Sequence, residues 1–198
     1  LLHLYKLSGF PEPFFKGSQV FCNRWSRSYR ERLVRLEVAT NEQFSDLATI
    51  EVMLHRLPDL VGGLLSINGI AEDIQVSHKT VDKWLKSLER LYAIFSILPF
   101  GPPKVKAIKK SHKIFFYDWN SIVEEGPRFE NLMAVHLLKW IFFQQDTLGK
   151  NVDLKFYRDK YLPPSTKWYP GHSFPSVVFH PMVIHCHLHR DKSQLSPG

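Results

Sequence analysis

One stretch limits what this chain can fold into more than any other: Leu64 to Phe100, LLSINGIAEDIQVSHKTVDKWLKSLERLYAIFSILPF. Val81, Trp84, Leu85, Leu88, Leu91 and Tyr92 recur at intervals of three and four, the period of one helical face, and Ser77 stands where an N-cap belongs. Lys79, Asp82, Lys83 and Lys86 are left on the opposite face. Just upstream, Ile67, Ile70, Ala71 and Ile74 show the same spacing, and Gln75-Val76-Ser77 is short enough to join two helices as a helix-turn-helix. The apolar run Ala93 to Leu98 then reads as a strand stopped by Pro99 and Gly101-Pro102-Pro103, and Lys113 to Tyr117 reads as a second strand. Two helices followed by a hairpin describe a winged helix, expected over residues 61–120.

The charge of the chain says which partners suit such a unit. With 198 residues, 44% of them hydrophobic, there is material for a real core, and the net charge of +7 favours an acidic partner, nucleic acid first and a membrane surface second. No run approaches the ~18 apolar residues of a membrane span. Cys22 and Cys186 make no disulfide framework and fit a reducing cytosol. The chain starts at Leu1 inside an apolar pattern, as expected of one whose beginning lies elsewhere.

Positive charge concentrates in two further places. Trp25, Tyr29, Leu33 and Leu36 form one stripe of a helix on which Arg24, Arg27, Arg30, Arg32 and Arg35 outnumber Glu31 and Glu37, leaving +3. Such a run is either a solvated face or a phosphate contact. Between the two strands of the wing, Lys104, Lys106, Lys109, Lys110 and Lys113 stand against Asp118 alone. Lysines there can approach a phosphate backbone, which supplies affinity without reading sequence, or keep a loop soluble.

Residues 1–60 form a helical region, in which Gly9-Phe10-Pro11-Glu12-Pro13 is a connector. Phe129 to Gln145 forms a helix whose apolar face is wide enough to pack against more than one neighbour. Asp153 to Arg158 alternates as a strand does, and residues 161–198, rich in Pro and His without a sustained period, are expected to be irregular.

Six segments taken together carry a family resemblance. They are Ser8-Gly9-Phe10-Pro11-Glu12-Pro13, Trp25 with Tyr29, Leu88 to Ile94, Lys113 to Asp118, Phe129-Glu130-Asn131 and Phe156-Tyr157-Arg158. Over about Leu4 to Lys160 the chain resembles the C-terminal part of prokaryotic ATP-binding proteins of the AAA superfamily, ending in the domain of unknown function numbered 4143. Full-length members of that group place a Walker A loop before the Gly-Phe-Pro-Glu-Pro segment. No G-x-x-x-x-G-K-S/T occurs here, so ATP and Mg are implied only for full-length members and this chain is not expected to bind ATP by itself.

The resemblance also implies a partial restriction-endonuclease-like region over residues 121–160. In that fold a helical Glu and acidic residues on a hairpin hold a divalent cation that activates water. Glu130 matches the helical position, as a vestige, because Tyr157-Arg158 leads into Asp159-Lys160-Tyr161-Leu162-Pro163-Pro164 where the family has Glu-Val-Asp-Phe. A Pro-Pro pair does not sit in an inner strand. The change of composition leads to the expectation that the last ~40 residues come from a shifted reading frame or a truncated gene copy.

The remaining candidates for chemistry are few. His185, His187 and His189 alternate around Cys186 and would share one face of a strand, as a Zn²⁺ or Ni²⁺ trap requires, or belong to a disordered tail. Cys22 lies near Arg24, but no histidine is placed to act as its base. His136 reads as a packed histidine, and Asp118, Glu124 and Glu125 read as paired carboxylates or as solvated loop residues.

The expected architecture is mainly α, of the α+β class. The expected function is non-catalytic binding of DNA or of a protein partner through the winged helix. Lys79, Lys83, Lys86, Lys104, Lys106, Lys109 and Lys110 would carry the DNA contacts, with no metal site and no membrane. The alternatives are a protein-docking module and a part of an ATP-dependent or nuclease-like enzyme whose catalytic parts lie elsewhere.

Overall fold

The computed structural model describes residues 2–40, 47–99, 112–156, 177–179 and 182–188. Helices α1 (Leu2–Leu7), α2 (Pro11–Lys16), α3 (Gln19–Thr40) and α4 (Leu47–Arg56) lead into a 3-10 turn, Leu57–Leu60. Then come α5 (Ile67–Asp73), α6 (His78–Arg90), β1 (Ile94–Pro99) and β2 (Lys113–Phe116). A second 3-10 turn (Trp119–Ser121), α7 (Glu125–Leu148), β3 (Val152–Phe156), β4 (Val177–Phe179) and β5 (Met182–Leu188) follow. The chain is α+β and mainly α.

The local rules that set α5 and α6 are visible in their caps. Ser66 Oγ accepts from Gly69 N at 3.1 Å and Ser77 Oγ accepts from Thr80 N at 3.1 Å, each satisfying one amide that the first helical turn leaves without a partner. Between the helices Gln75 takes φ 57, and its side chain donates back to Glu72 O at 2.8 Å, closing the turn. Val81, Trp84, Leu85 and Leu88 of α6 are buried against Ile70 and Ala71 of α5 and against Ile94, Phe95 and Ile97 of β1. Each large apolar side chain among them, taken from water, contributes ~1.5–3 kcal/mol to the fold.

The stripe on α6 is narrower than its spacing implies. Leu91 is only partly buried and Tyr92 is 66% exposed, because the helix ends at Arg90 and Tyr92 turns to φ 54. On α3, Leu33 is buried, but Leu36 is 55% exposed and Trp25 and Tyr29 are half-buried.

The sheet order is β2-β1-β3-β5-β4. β1 pairs antiparallel with β2, from Ile94 opposite Phe116 to Ile97 opposite Lys113, and parallel with β3 at Leu98 and Pro99. β3 pairs antiparallel with β5, which pairs antiparallel with β4. One correction follows. The stretch after residue 160, expected to be irregular, contains two strands among its described residues, and they extend the sheet that begins in the wing. The hydrophobic core is also continuous across residue 120, since Leu132 and Phe156 belong to the same cluster as Trp84 and Phe115.

α7 covers part of the edge that β2 presents. Asn131, buried on α7, donates through Nδ2 to Phe116 O and accepts through Oδ1 from Phe116 N, both at 2.7 Å, so one amide side chain satisfies the strand as a neighbouring backbone would. Pro127 sits in the first turn, where no amide is required, and Gly149 at φ 59 ends the helix. α7 packs on β2, β3 and the Trp119 turn, yet its last turns leave Trp140, Phe142 and Phe143 38–54% exposed, so the broad apolar pattern is only partly a buried face.

Candidate nucleic-acid interface

Once α6 buries Val81, Trp84, Leu85 and Leu88, the residues on its far side are fixed by the helical repeat. Lys79, Lys83, Lys86 and Arg90, at steps of four, three and four, form one stripe opposite the core along the whole helix. Three of these are the expected lysines. Arg90 was missed, although its interval of four from Lys86 continues the series. Asp82 flanks the stripe and pairs with Lys86 at 2.6 Å, with side chains 41% and 67% exposed, an ion pair of little energetic weight. Arg90 Nη2 donates to Ser87 Oγ at 2.7 Å. Lys104, Lys106, Lys109 and Lys110 lie outside the described residues.

Lys113 does not belong to the interface. It is 9% exposed, its Nζ lies 2.9 Å from Glu130 Oε1 and 5.7 Å from the centre of the Phe156 ring. β2 is buried along its whole length, so its first residue is turned into the protein rather than toward a phosphate. The same contact gives Glu130 a structural task as the partner of a buried ammonium. Gly62, at φ 88, passes so close that a Cβ there would stand 3.2 Å from Glu130 Oε2. His112 carries the wing back to the turn before α5, its carbonyl accepting from Leu65 N at 2.9 Å. Burial lowers the His112 pKa, opposed by the charges of Glu89 and Asp82.

On α3 the arginines divide. Arg24, Arg27, Arg32 and Arg35 are exposed, whereas Arg30 turns inward and donates to Ser121 Oγ at 2.8 Å. Asp118, read from sequence as a solvated carboxylate or one of a pair, is instead 2% exposed and accepts from Ser8 Oγ at 2.9 Å; Glu124 and Glu125 are exposed. Arg128 donates to Tyr5 O and Lys6 O at 3.0 Å, closing the end of α1. This network ties α1 and α3 to the Trp119 turn. Cys22 is fully buried, its thiol donating to Leu7 O at 2.9 Å, and desolvation, aided by Asp118, raises its pKa. A thiol so held is not a nucleophile.

The other chemical candidates are scattered. His136 has a buried Nε2 without a hydrogen-bond partner, and desolvation lowers its pKa. His185, Cys186 and His187 lie in β5, opposite Lys155, Leu154 and Asp153 of β3, and His189 is outside the described residues. Among the described residues no three His, Cys, Asp or Glu side chains gather as a metal site, and no helix is long and apolar enough to cross a membrane.

Just beyond the C-terminal end of α6, Tyr92 joins a group of aromatic side chains. Tyr29 of α3 donates to Tyr92 O at 3.2 Å, Tyr92 meets Tyr117 edge-on at 5.8 Å, and Trp25 stacks on Tyr29 at 5.1 Å with the planes 11° apart. Burial, with Asp118 and Tyr117 adding to it and Arg32 opposing it, pushes the Tyr29 pKa up to about 12.

The order α4-α5-α6-β1-β2, with a capped turn between α5 and α6 and an antiparallel pair after them, is that of a winged helix-turn-helix. The chain belongs to the family described as "Domain of unknown function (DUF8612)", whose match covers residues 2–120 and so includes α1 to β2. No curated protein matches. Among solved structures the chain is similar to MepR, a transcription regulator of the Staphylococcus aureus multidrug efflux pump MepA, at 17% identity and a TM-score of 0.27, over 64% of this chain and 79% of that one. It is also similar to an S. aureus MepR mutant bound to an oligodeoxyribonucleotide, at 17% identity and a TM-score of 0.28, over 64% and 79%. At these scores the likeness bears on neither the fold nor the function of this chain.

Proposed function

We propose that the chain binds double-stranded DNA through α6, without catalysing a reaction on it. The observation that carries this is the stripe Lys79, Lys83, Lys86 and Arg90: four cations spaced along the outer face of the second helix of a helix-turn-helix. That helix is short and rigidly packed, and its first turn is capped by Ser77, so its cations are presented as a fixed row rather than as a mobile tail. A row of cations on a helix that fits the major groove neutralises phosphates along one edge while its neighbours approach base edges. Lys104, Lys106, Lys109 and Lys110, in the sequence between β1 and β2, add charge on the wing side. In this reading the resemblance to AAA-type ATP-binding proteins gives the chain a place as the DNA-contacting module of a longer ATP-dependent protein.

The test is a fluorescence-anisotropy titration of labelled duplex DNA with the whole chain and with the variant Lys79→Ala/Lys83→Ala/Lys86→Ala. All three lie on the face of α6 opposite the buried Val81, Trp84, Leu85 and Leu88, and the variant, with its fold checked by circular dichroism, should bind at least tenfold more weakly. Equal affinity of the two proteins would refute the assignment of the interface to α6. Binding of an acidic protein but not of DNA would move the chain to the docking class.

A further inference from the structure

We propose that the DNA this chain recognises carries an unpaired base beside its duplex, and that Tyr92 is the platform on which that base stacks. The inference rests on the reading of α6 as a duplex-binding helix and adds the class of nucleic acid it takes. Tyr92 occupies a position that neither the backbone nor the core accounts for. Its φ of 54 lies in the left-handed region, which glycine adopts freely and a bulky side chain adopts at a cost, and helices commonly end on a glycine there. The ring that this cost retains is 66% exposed. It is nevertheless held in place: the Tyr92 carbonyl accepts from the Tyr29 hydroxyl at 3.2 Å and the ring stands edge-on to Tyr117 at 5.8 Å.

The surroundings match a polyanion bearing flat bases. Arg90, two residues upstream, ends the basic stripe of α6, and Arg32 is exposed on α3 beside Tyr29, so cations lie on both elements that meet at Tyr92. An exposed aromatic ring on a basic surface is the arrangement on which single-stranded nucleic acids stack their bases, with little dependence on which base it is. A strand that leaves the duplex at the end of α6 would pass from Arg90 onto this platform.

The experiment compares a blunt duplex with the same duplex bearing a short single-stranded thymine tail, titrated with the whole chain and with Tyr92→Gly and Tyr92→Phe. Glycine suits φ 54, so Tyr92→Gly removes the ring while easing the backbone, and its thermal unfolding should match or exceed that of the parent. The parent should prefer the tailed duplex by about fivefold or more. Tyr92→Phe should keep that preference, and Tyr92→Gly should lose it with its affinity for the blunt duplex unchanged. Equal binding of blunt and tailed duplexes by the parent, or a preference that survives in Tyr92→Gly, overturns the inference and leaves the duplex reading intact. Binding of neither duplex overturns both.

Discussion

Substituting Glu130 by Gln should expose how much of this fold depends on one buried ion pair. Lys113 and Glu130 are 2.9 Å apart, with side chains 11% and 14% exposed, and they bridge β2 to α7. At an effective dielectric constant near 20, charges at that separation attract by ~6 kcal/mol, but most of this is offset by the water both groups give up. The net cost of removing one partner is dominated by the charge left behind, ~3–5 kcal/mol for a fully buried pair, and the residual exposure here places Glu130→Gln near ~3 kcal/mol. For a chain of this size that corresponds to a drop in Tm of ~6–12 °C. Replacing both residues, Lys113→Met with Glu130→Leu, removes the buried charge altogether and should recover most of the loss, because apolar groups suit the neighbouring Phe156 ring. Urea unfolding followed by circular dichroism for the parent, Lys113→Met, Glu130→Leu and the double variant gives the cycle. If Glu130→Gln unfolds within ~0.5 kcal/mol of the parent, or the double variant loses as much as the two single ones together, the pair is not the structural tie described.

Other substitutions bear on other joints of the structure. Asn131→Ala should cost ~2–4 kcal/mol in the same urea assay, since it leaves both the amide and the carbonyl of Phe116 without their partner; a loss under ~1 kcal/mol would mean that β2 finds another partner. Gly9→Ala should lower Tm, because its new methyl would lie 2.4 Å from the buried Trp119 ring, and an unchanged Tm would show that the Trp119 turn yields to it. Acid should weaken the fold through His112 and His136. Both pKa values are lowered by burial, so their contribution is present above the unfolded value of 6.5 and is lost as pH falls below it. Urea unfolding at pH 7.5 and 5.5 should therefore show a loss at the lower pH that shrinks in His136→Leu; the same loss in that variant would remove His136 from the explanation.

How legible these features were from sequence follows from the range of the interactions involved. α6 was readable because its period, its Ser77 cap and its charges all lie within one short stretch, and local rules suffice there. The end of the helix is hidden at Tyr92, since an apolar residue that continues the spacing gives no sign that the backbone has turned left-handed. Lys113 groups with the wing lysines by sequence because its partner Glu130 lies 17 residues away, beyond any charge pattern. Asp118 looked solvated for the same reason, its hydroxyl donor Ser8 being 110 residues distant. The strands β4 and β5 were hidden by prolines and histidines, whose usual place in loops outweighed the alternation of Val183, His185 and His187. Arg90 needed no structure at all, only the extension of an interval already noted.

The central claim, that the outer face of α6 meets a nucleic-acid backbone, is tested most directly by the salt dependence of binding. The logarithm of the association constant for duplex DNA, plotted against the logarithm of salt concentration, should fall steeply for the parent chain. Replacing Lys79, Lys83, Lys86 and Arg90 by Ala together should flatten the slope by ~3–4 units, close to one for each phosphate contact removed. A slope that stays the same in the substituted chain, or duplex binding that does not depend on salt, would contradict the account.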